Sequence, residues 1–211
     1  MEKDALAGVL APVARKWRVT LMVNRGYSST SAMRESGLRV RSECAKIGAK
    51  EAVVLYLGDM DPSGEDMVRD VRERLRQFVN QGIELKYTKG RPYRGGEVNN
   101  ESKEEIALRQ HIDVDVRKLA LSMEQVEEYD PPPNPAKMSD SRAAKYVAEF
   151  GTSSWEVDAL PPVSLREIIE DELEGLIDVQ MVDEVKEKEA EDKLRLRDAL
   201  ASLAPSGKKR K

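Results

Sequence analysis

Asp59 and Asp61 stand two residues apart in the segment AVVLYLGDMDPSG, Ala52 to Gly64, and are the residues of this chain best suited to chemistry. Two carboxylates held about 4 Å apart repel by roughly 4 kcal/mol at an effective dielectric near 20, and a proton or a cation must relieve that repulsion. Mg²⁺ is the natural ion, because it takes one or two carboxylates and keeps several waters. A simpler role also covers part of the motif. Asp61 followed by Pro62 is a good helix start, with Asp as N-cap and proline at the first helical position. Capping accounts for Asp61, and extends to Ser63 and Asp66, but leaves Asp59 without a job.

The elements around the pair would place it at a sheet edge. Ala52 to Leu57 is a short apolar run with β-branched Val53 and Val54 at its centre, the pattern of a buried strand. Gly58 follows it, and the pattern Glu65 to Phe78 is helical. Acid at the C-terminal end of such a strand lies where open α/β sheets bind their ligands.

The rest of the first 90 residues alternates in the same way. Lys3 to Lys16 is helix-like, and Pro12 predicts a kink or an early end. Arg18 to Val23 predicts a strand, Asn24 to Ser29 a loop and Thr30 to Ile47 a helix. Gly82 precedes another predicted strand, Ile83 to Tyr87. Strands and helices alternating at this length predict a parallel sheet flanked by crossover helices.

Residues 88–112, broken by Gly90, Gly95, Gly96, Asn99 and Asn100, read as a surface insertion. Val114 to Leu121 returns to strand character, and Ser122 with Gln125 opens a helix as a capping box. The prolines from Tyr129 to Pro135 forbid helix and predict an extended linker. Ser139 to Phe150 reads as a helix closed by Gly151, and Trp155 to Leu160 as a strand. A charge-rich helical stretch then runs from Leu165 to Leu203. Its apolar spacing lapses at Lys186 to Lys193, so its second half reads as a solvated helix more than a partner helix.

At 211 residues the chain can form one ordinary domain with its own core, or one domain with an appendage. A single cysteine, Cys44, excludes an internal disulfide framework and predicts a reducing, cytoplasmic setting with the thiol as a buried small hydrophobe. No apolar run approaches a membrane span and no signal-peptide pattern opens the sequence, so the expectation is a protein neither membrane-spanning nor secreted. The net charge of −4 conceals segregation. Val9 to Lys50 holds nine basic against two acidic residues, and Arg72 to Arg94 seven against two. Glu156 to Asp198 reverses this, with fifteen acidic against six basic. Such asymmetry suits a nucleic-acid footprint on one face, and solvated helix faces produce the same counts.

Several separated pieces resemble one family. Glu2 in MEKDALAGVL, Gly26 in NRGYSST, and Asp59 with Asp61 in LGDMDPSG follow the order of the acidic residue, glycine loop and DxD of Toprim domains. LALSMEQVEEY (Leu119 to Tyr129) and SSWEVDALPP (Ser153 to Pro162) narrow the resemblance to the A subunit of topoisomerase VI and its meiotic break-forming relatives. The match in wording is closest to proteins that join an upstream winged-helix domain to such a Toprim domain, and it covers roughly residues 1–175.

The resemblance implies an α/β, Rossmann-like Toprim fold: a central parallel sheet flanked by helices over residues 1–175, with a charged helical extension and basic tail at 176–211. It implies a Mg²⁺ site, with Mn²⁺ as substitute, held by Glu2, Asp59 and Asp61, which are also the catalytic residues. Arg25, Gly26 and Lys137 would lie nearest the phosphates of DNA, and Glu156 and Asp158 could extend the acidic site. The implied reaction is DNA strand cleavage and rejoining by transesterification, as in a type IIB topoisomerase. Only Met1 precedes Glu2 here, and no winged-helix segment with an attacking tyrosine is recognisable. The tyrosine would therefore come from an upstream domain or a separate chain, and the module is expected to be inactive or weak alone. A GHKL-type ATPase subunit and a second copy of the chain are the further partners implied, in a cytoplasmic, nucleoid-associated setting.

Two other readings stay open. One is a stand-alone metal-dependent nuclease, which needs a general base that the single histidine, His111 in the insertion, does not obviously supply. The other is a non-catalytic DNA-binding or assembly module built on the basic stretches, whose binding to DNA would not need metal.

Overall fold

The computed structural model describes residues 1, 3–23, 27–81 and 110–203. They divide into two compact units, Met1–Ile169 and Glu170–Lys211. In chain order the elements are α1 (Ala7–Trp17), α2 (Thr30–Ile47), β1 (Glu51–Leu57), α3 (Pro62–Val79), β2 (Asp113–Ala120), α4 (Met123–Tyr129), β3 (Asn134–Pro135), α5 (Ala143–Phe150), β4 (Ser153–Ser154), α6 (Pro162–Leu176) and α7 (Val179–Leu203). Mixed α/β architecture is as expected, and β1 and β2 run parallel, from Glu51↔Asp113 to Leu57↔Ala120. A broad central sheet is not what the described residues form. They contain this parallel pair and the two-residue antiparallel pair β3–β4.

Among the described residues no further strand adds to the outer edge of β2, and side chains occupy it instead. Arg72 and Arg76 of α3 donate to the carbonyls of Val116 and Val114, each at 2.9 Å. Asn80 completes the cover: its Nδ2 donates to Ile112 O at 2.9 Å and its Oδ1 accepts from Ile112 N–H at 3.0 Å. Side chains thus meet the backbone groups that a neighbouring strand would otherwise satisfy, which blunts an exposed edge.

One apolar core joins α2, α3 and the parallel pair. Met67, Val68, Val71, Leu75, Phe78 and Val79 make one face of α3, the spacing of an amphipathic helix. They pack with Met33 and Cys44 of α2, Tyr56 of β1, and Ile112, Val114 and Val116. Cys44 is a buried core thiol, as its isolation in the sequence implied. The ends of α2 follow its sequence: Ser29 Oγ accepts from Ala32 N–H at 3.1 Å, and Gly48 takes the left-handed conformation that closes the helix.

Helices α2 and α3 come into close contact at Gly37. A Cβ there would lie 2.6 Å from Phe78 Cβ and 3.1 Å from the Phe78 carbonyl carbon, while Arg41 one turn on donates to Val79 O at 2.7 Å. Alanine normally favours a helix interior over glycine by up to about 1 kcal/mol. At Gly37 the sign should reverse, because overpacking a filled contact costs about 1–3 kcal/mol. Urea denaturation should show Gly37→Ala destabilised and Gly8→Ala, whose Cβ would meet nothing within 4 Å, unchanged or stabilised.

Several expectations need correction. Pro12 does not end α1, which runs on to Trp17 because Leu10, Val13, Ala14 and Trp17 are buried along one face. Arg18 to Val23 is not a strand: Arg18 takes a left-handed conformation that ends α1, and the residues after it join no ladder. Trp155 to Leu160 is not a continuous strand either. It is a single bridge at Trp155 followed by a 3₁₀ turn, Val157–Ala159. Helix α5 starts at Ala143 rather than Ser139, since Asp140 first accepts the Arg142 and Ala143 N–H groups in a turn. Tyr129, counted in the proline linker, still belongs to α4; the rest of the linker is free of helix, and its last two residues pair with β4. The predicted strand Ile83 to Tyr87 and nearly all of the 88–112 insertion lie outside the described residues.

The Glu170–Lys211 unit is helical up to Leu203, with Asp178 Oδ1 accepting Met181 N–H at 3.1 Å where α7 begins. The helical stretch expected over Leu165 to Leu203 is thus made of two helices, α6 and α7. In α7, Met181, Val185, Leu194, Leu196 and Leu200 are exposed, and Lys186 pairs with Asp183 one turn away at 3.0 Å. Among the described residues, no helix is long and apolar enough to cross a membrane.

Candidate metal centre after the first strand

Strand β1 delivers Asp59 and Asp61 into a corner that two distant segments complete. Gly58 continues the β1–β2 pairing: its N–H donates to Ala120 O and its carbonyl accepts from Leu121 N–H, both at 2.8 Å. Met60 then exchanges two hydrogen bonds with Trp155, at 2.8 and 2.9 Å. That bridge brings the SSWEVDALPP segment against the DxD, and β3–β4 pairing places Lys137 two residues beyond the same structure.

The two aspartates do different work. Asp61 is the N-cap of α3, its Oδ1 accepting Gly64 N–H at 2.6 Å and Ser63 Oγ–H at 2.9 Å. Asp59 faces the other way. Its Oδ1 accepts Val157 N–H at 2.8 Å and lies 3.3 Å from the Lys3 ammonium. The side chain is 14% exposed, low enough for loss of hydration to dominate its ionisation. Burial pushes the Asp59 carboxyl above the usual carboxylate range, with a smaller push from the charge of Asp61, although the Val157 N–H and Lys3 act in the opposite sense.

Lys3 gathers three acids around one ammonium: Asp158 at 2.6 Å, Glu156 at 2.9 Å and Asp59 at 3.3 Å. Burial alone would lower its pKa, but the hydrogen bonds to Asp158 and Glu156 and the attraction of Asp59 outweigh it and hold the ammonium charged beyond its ordinary range. Glu156 and Asp158 thus lie in the acidic corner around Lys3. Lys3 was not foreseen as a site residue, and its position next to Glu2 was the available signal.

A second lysine was also missed. Lys118, opposite Tyr56 in the parallel pair, aims its ammonium at Glu65, with Asp59 O at 3.4 Å and Met60 Sδ at 3.9 Å. Nothing in the sequence marked it, since Asp115 and Arg117 put other charges in the same strand. Tyr146 braces the same corner. Its hydroxyl lies 2.8 Å from Met60 O and 3.0 Å from Ser153 O, and its pKa is pushed up to about 12 by burial, with the charges of Asp61 and Glu65 adding to it.

Of the other expected site residues, Glu2, Arg25 and Gly26 lie outside the described residues. Lys137 is exposed on the turn after β3, where its carbonyl accepts Asp140 N–H at 3.0 Å. Beside that turn, Arg142 holds Asp140 with Nε and Nη2, each at 2.7 Å, and reaches Asp66 of α3 at 3.0 Å. Tyr27 donates to the same Asp66 oxygen at 2.6 Å and accepts from Arg142.

The donor chemistry suits a hard divalent cation: the corner offers carboxylate oxygens, and a cationic group already stands beside the buried one. As the side chains are arranged, no group of three or more His, Cys, Asp or Glu among the described residues could hold a metal ion. Comparison with known proteins adds no relative: no family model matches the chain, and no curated protein and no solved structure matches it.

Proposed function

We propose that this chain is a Mg²⁺-binding, Toprim-like module of a DNA-cleaving enzyme of the topoisomerase VI A type. The observation that carries the proposal is the meeting of the two motif segments. Met60 bridges Trp155, and Val157 N–H donates to Asp59 Oδ1, so DxD and SSWEVDALPP form one acidic corner at the end of a parallel strand. Glu2, Asp59 and Asp61 would hold the ion, which when bound would stabilise negative charge developing on the scissile phosphate.

The chain's own residues supply position. Gly58, Met60 and Tyr146 fix the loop, Val157 orients the Asp59 carboxylate, and Asp61 ties it to the start of α3. Lys137 on its exposed turn, together with Arg25 and Gly26, is assigned to the DNA backbone. The attacking hydroxyl comes from elsewhere, because the tyrosines around the corner are engaged. Tyr56 is buried in the core, Tyr146 faces two carbonyls, and Tyr27 is tied to Asp66 and Arg142.

Calorimetric titration of Mg²⁺ and Mn²⁺ into the chain should show a site that Asp59→Ala abolishes. Incubation with supercoiled plasmid should give no cleavage until a tyrosine-bearing winged-helix partner is added. Nicking by the chain alone, with no covalent protein–DNA link, would turn the assignment to a nuclease. DNA binding indifferent to metal removal would turn it to a non-catalytic module.

A further inference from the structure

We propose that Lys3 is a built-in counter-ion of the Asp59 corner, a tethered ammonium that a divalent cation must displace before it can use Asp59. The inference rests on the metal reading above and adds what regulates access to that site. An ammonium has three N–H donors. Lys3 directs its own among Asp158, Glu156 and Asp59, at 2.6, 2.9 and 3.3 Å, and its side chain is only 23% exposed. Acids from two distant parts of the chain are therefore held together by one cation from a third.

The ammonium lies against the same carboxylate oxygen, Asp59 Oδ1, that also accepts the Val157 N–H. Mg²⁺ and Mn²⁺ need oxygens far closer than an ammonium does, about 2.0–2.1 Å for Mg²⁺, with a strict octahedral shell. Binding therefore requires Lys3 to leave and the carboxylates to close in. Lys3 is suited to leave, since it precedes the short turn Asp4–Leu6 and is joined to the corner through its side chain. The tether makes the site selective: a monovalent ion gains little over the resident ammonium, whereas a divalent ion brings twice the charge to the same acids.

Mn²⁺ is the probe, followed by electron paramagnetic resonance on the full chain. Lys3→Met keeps the unbranched stem and removes the charge, and it should lower the Kd for Mn²⁺ at least tenfold. Lys3→Arg keeps the charge and should stay within a few-fold of wild type. A second measurement needs no variant. Acetylation of wild-type Lys3, followed by peptide mass spectrometry, should run several-fold faster in saturating Mn²⁺, while the exposed Lys46 reacts at an unchanged rate. Equal Mn²⁺ affinity in wild type and Lys3→Met, or no change in Lys3 labelling with the ion bound, overturns the tethered counter-ion and leaves the metal site standing. No Mn²⁺ binding in any of the three proteins overturns the metal site itself, and this inference with it.

Discussion

Gly64→Ala should destabilise the protein by about 3 kcal/mol, the upper end of what overpacking usually costs, and should abolish divalent-ion binding with it. A Cβ at residue 64 would sit 2.4 Å from the carbonyl oxygen of Asp59, 3.1 Å from its carbonyl carbon and 3.2 Å from Asp61 Oδ1. The nearest obstacle is backbone, so no side chain can swing away to relieve the clash. The backbone of Asp59 is in turn fixed by the pairing of Gly58 and Met60 on either side. Either α3 must move off the loop, which breaks the Gly64–Asp61 cap, or the loop must move, which takes Asp59 from Val157. Urea denaturation gives the stability and a Mn²⁺ titration gives the site. Gly175→Ala, whose Cβ would meet nothing within 4 Å, is the control and should be neutral or slightly stabilising. A Gly64→Ala protein as stable as wild type, with its ion affinity intact, would show that this close approach is not what positions Asp59.

The sequence carried the local devices of this corner better than its long-range partners. Strand β1, helix α3, the Asp61 cap and the Ser122–Gln125 capping box are written in contiguous residues, and each formed within a few residues of its expected place. Capping and metal binding looked like competing explanations of the motif, and the structure gives the two aspartates different partners. Asp61 caps. Asp59, which capping left unexplained, is the residue that reaches across the chain to Val157 and Lys3. No periodicity could reveal that contact, because it spans residues 3, 59 and 157. The failed strand predictions have a related cause. Arg18 to Val23 and Trp155 to Leu160 have strand composition, but a strand needs a partner edge. One edge of the parallel pair is occupied by Arg72, Arg76 and Asn80, and Trp155 is used in a single bridge that precedes the Val157–Asp59 hydrogen bond.

The Asp59 carboxylate should reveal the metal through a reversal of stability. Without divalent ions, Asp59→Asn should melt higher than wild type. The amide oxygen can still accept the Val157 N–H, and Lys3 keeps Glu156 and Asp158, so the main change is removal of a buried charge. The sign follows from the direction of the Asp59 shift. Its carboxyl is raised in the native state, so the folded protein holds the proton to higher pH than the unfolded chain does. The stability linked to that proton is complete below the ordinary carboxylate range and is lost as pH rises through the raised native value. The advantage of asparagine should accordingly be largest near neutral pH and shrink on acidification. In Mg²⁺ the order should invert, because only the wild type gains the linkage term, about 2.7 kcal/mol at a hundredfold excess over Kd. For a chain of this size that is a rise of roughly 5–11 °C. Asp61→Asn should show a smaller metal-free gain, since asparagine caps a helix nearly as well as aspartate and Asp61 is already satisfied by Gly64 and Ser63. Melting curves of the three proteins with and without Mg²⁺, at neutral and mildly acidic pH, measure all of this. If the ion left every melting temperature unchanged, Asp59 would be a structural latch to the Val157 turn and no more.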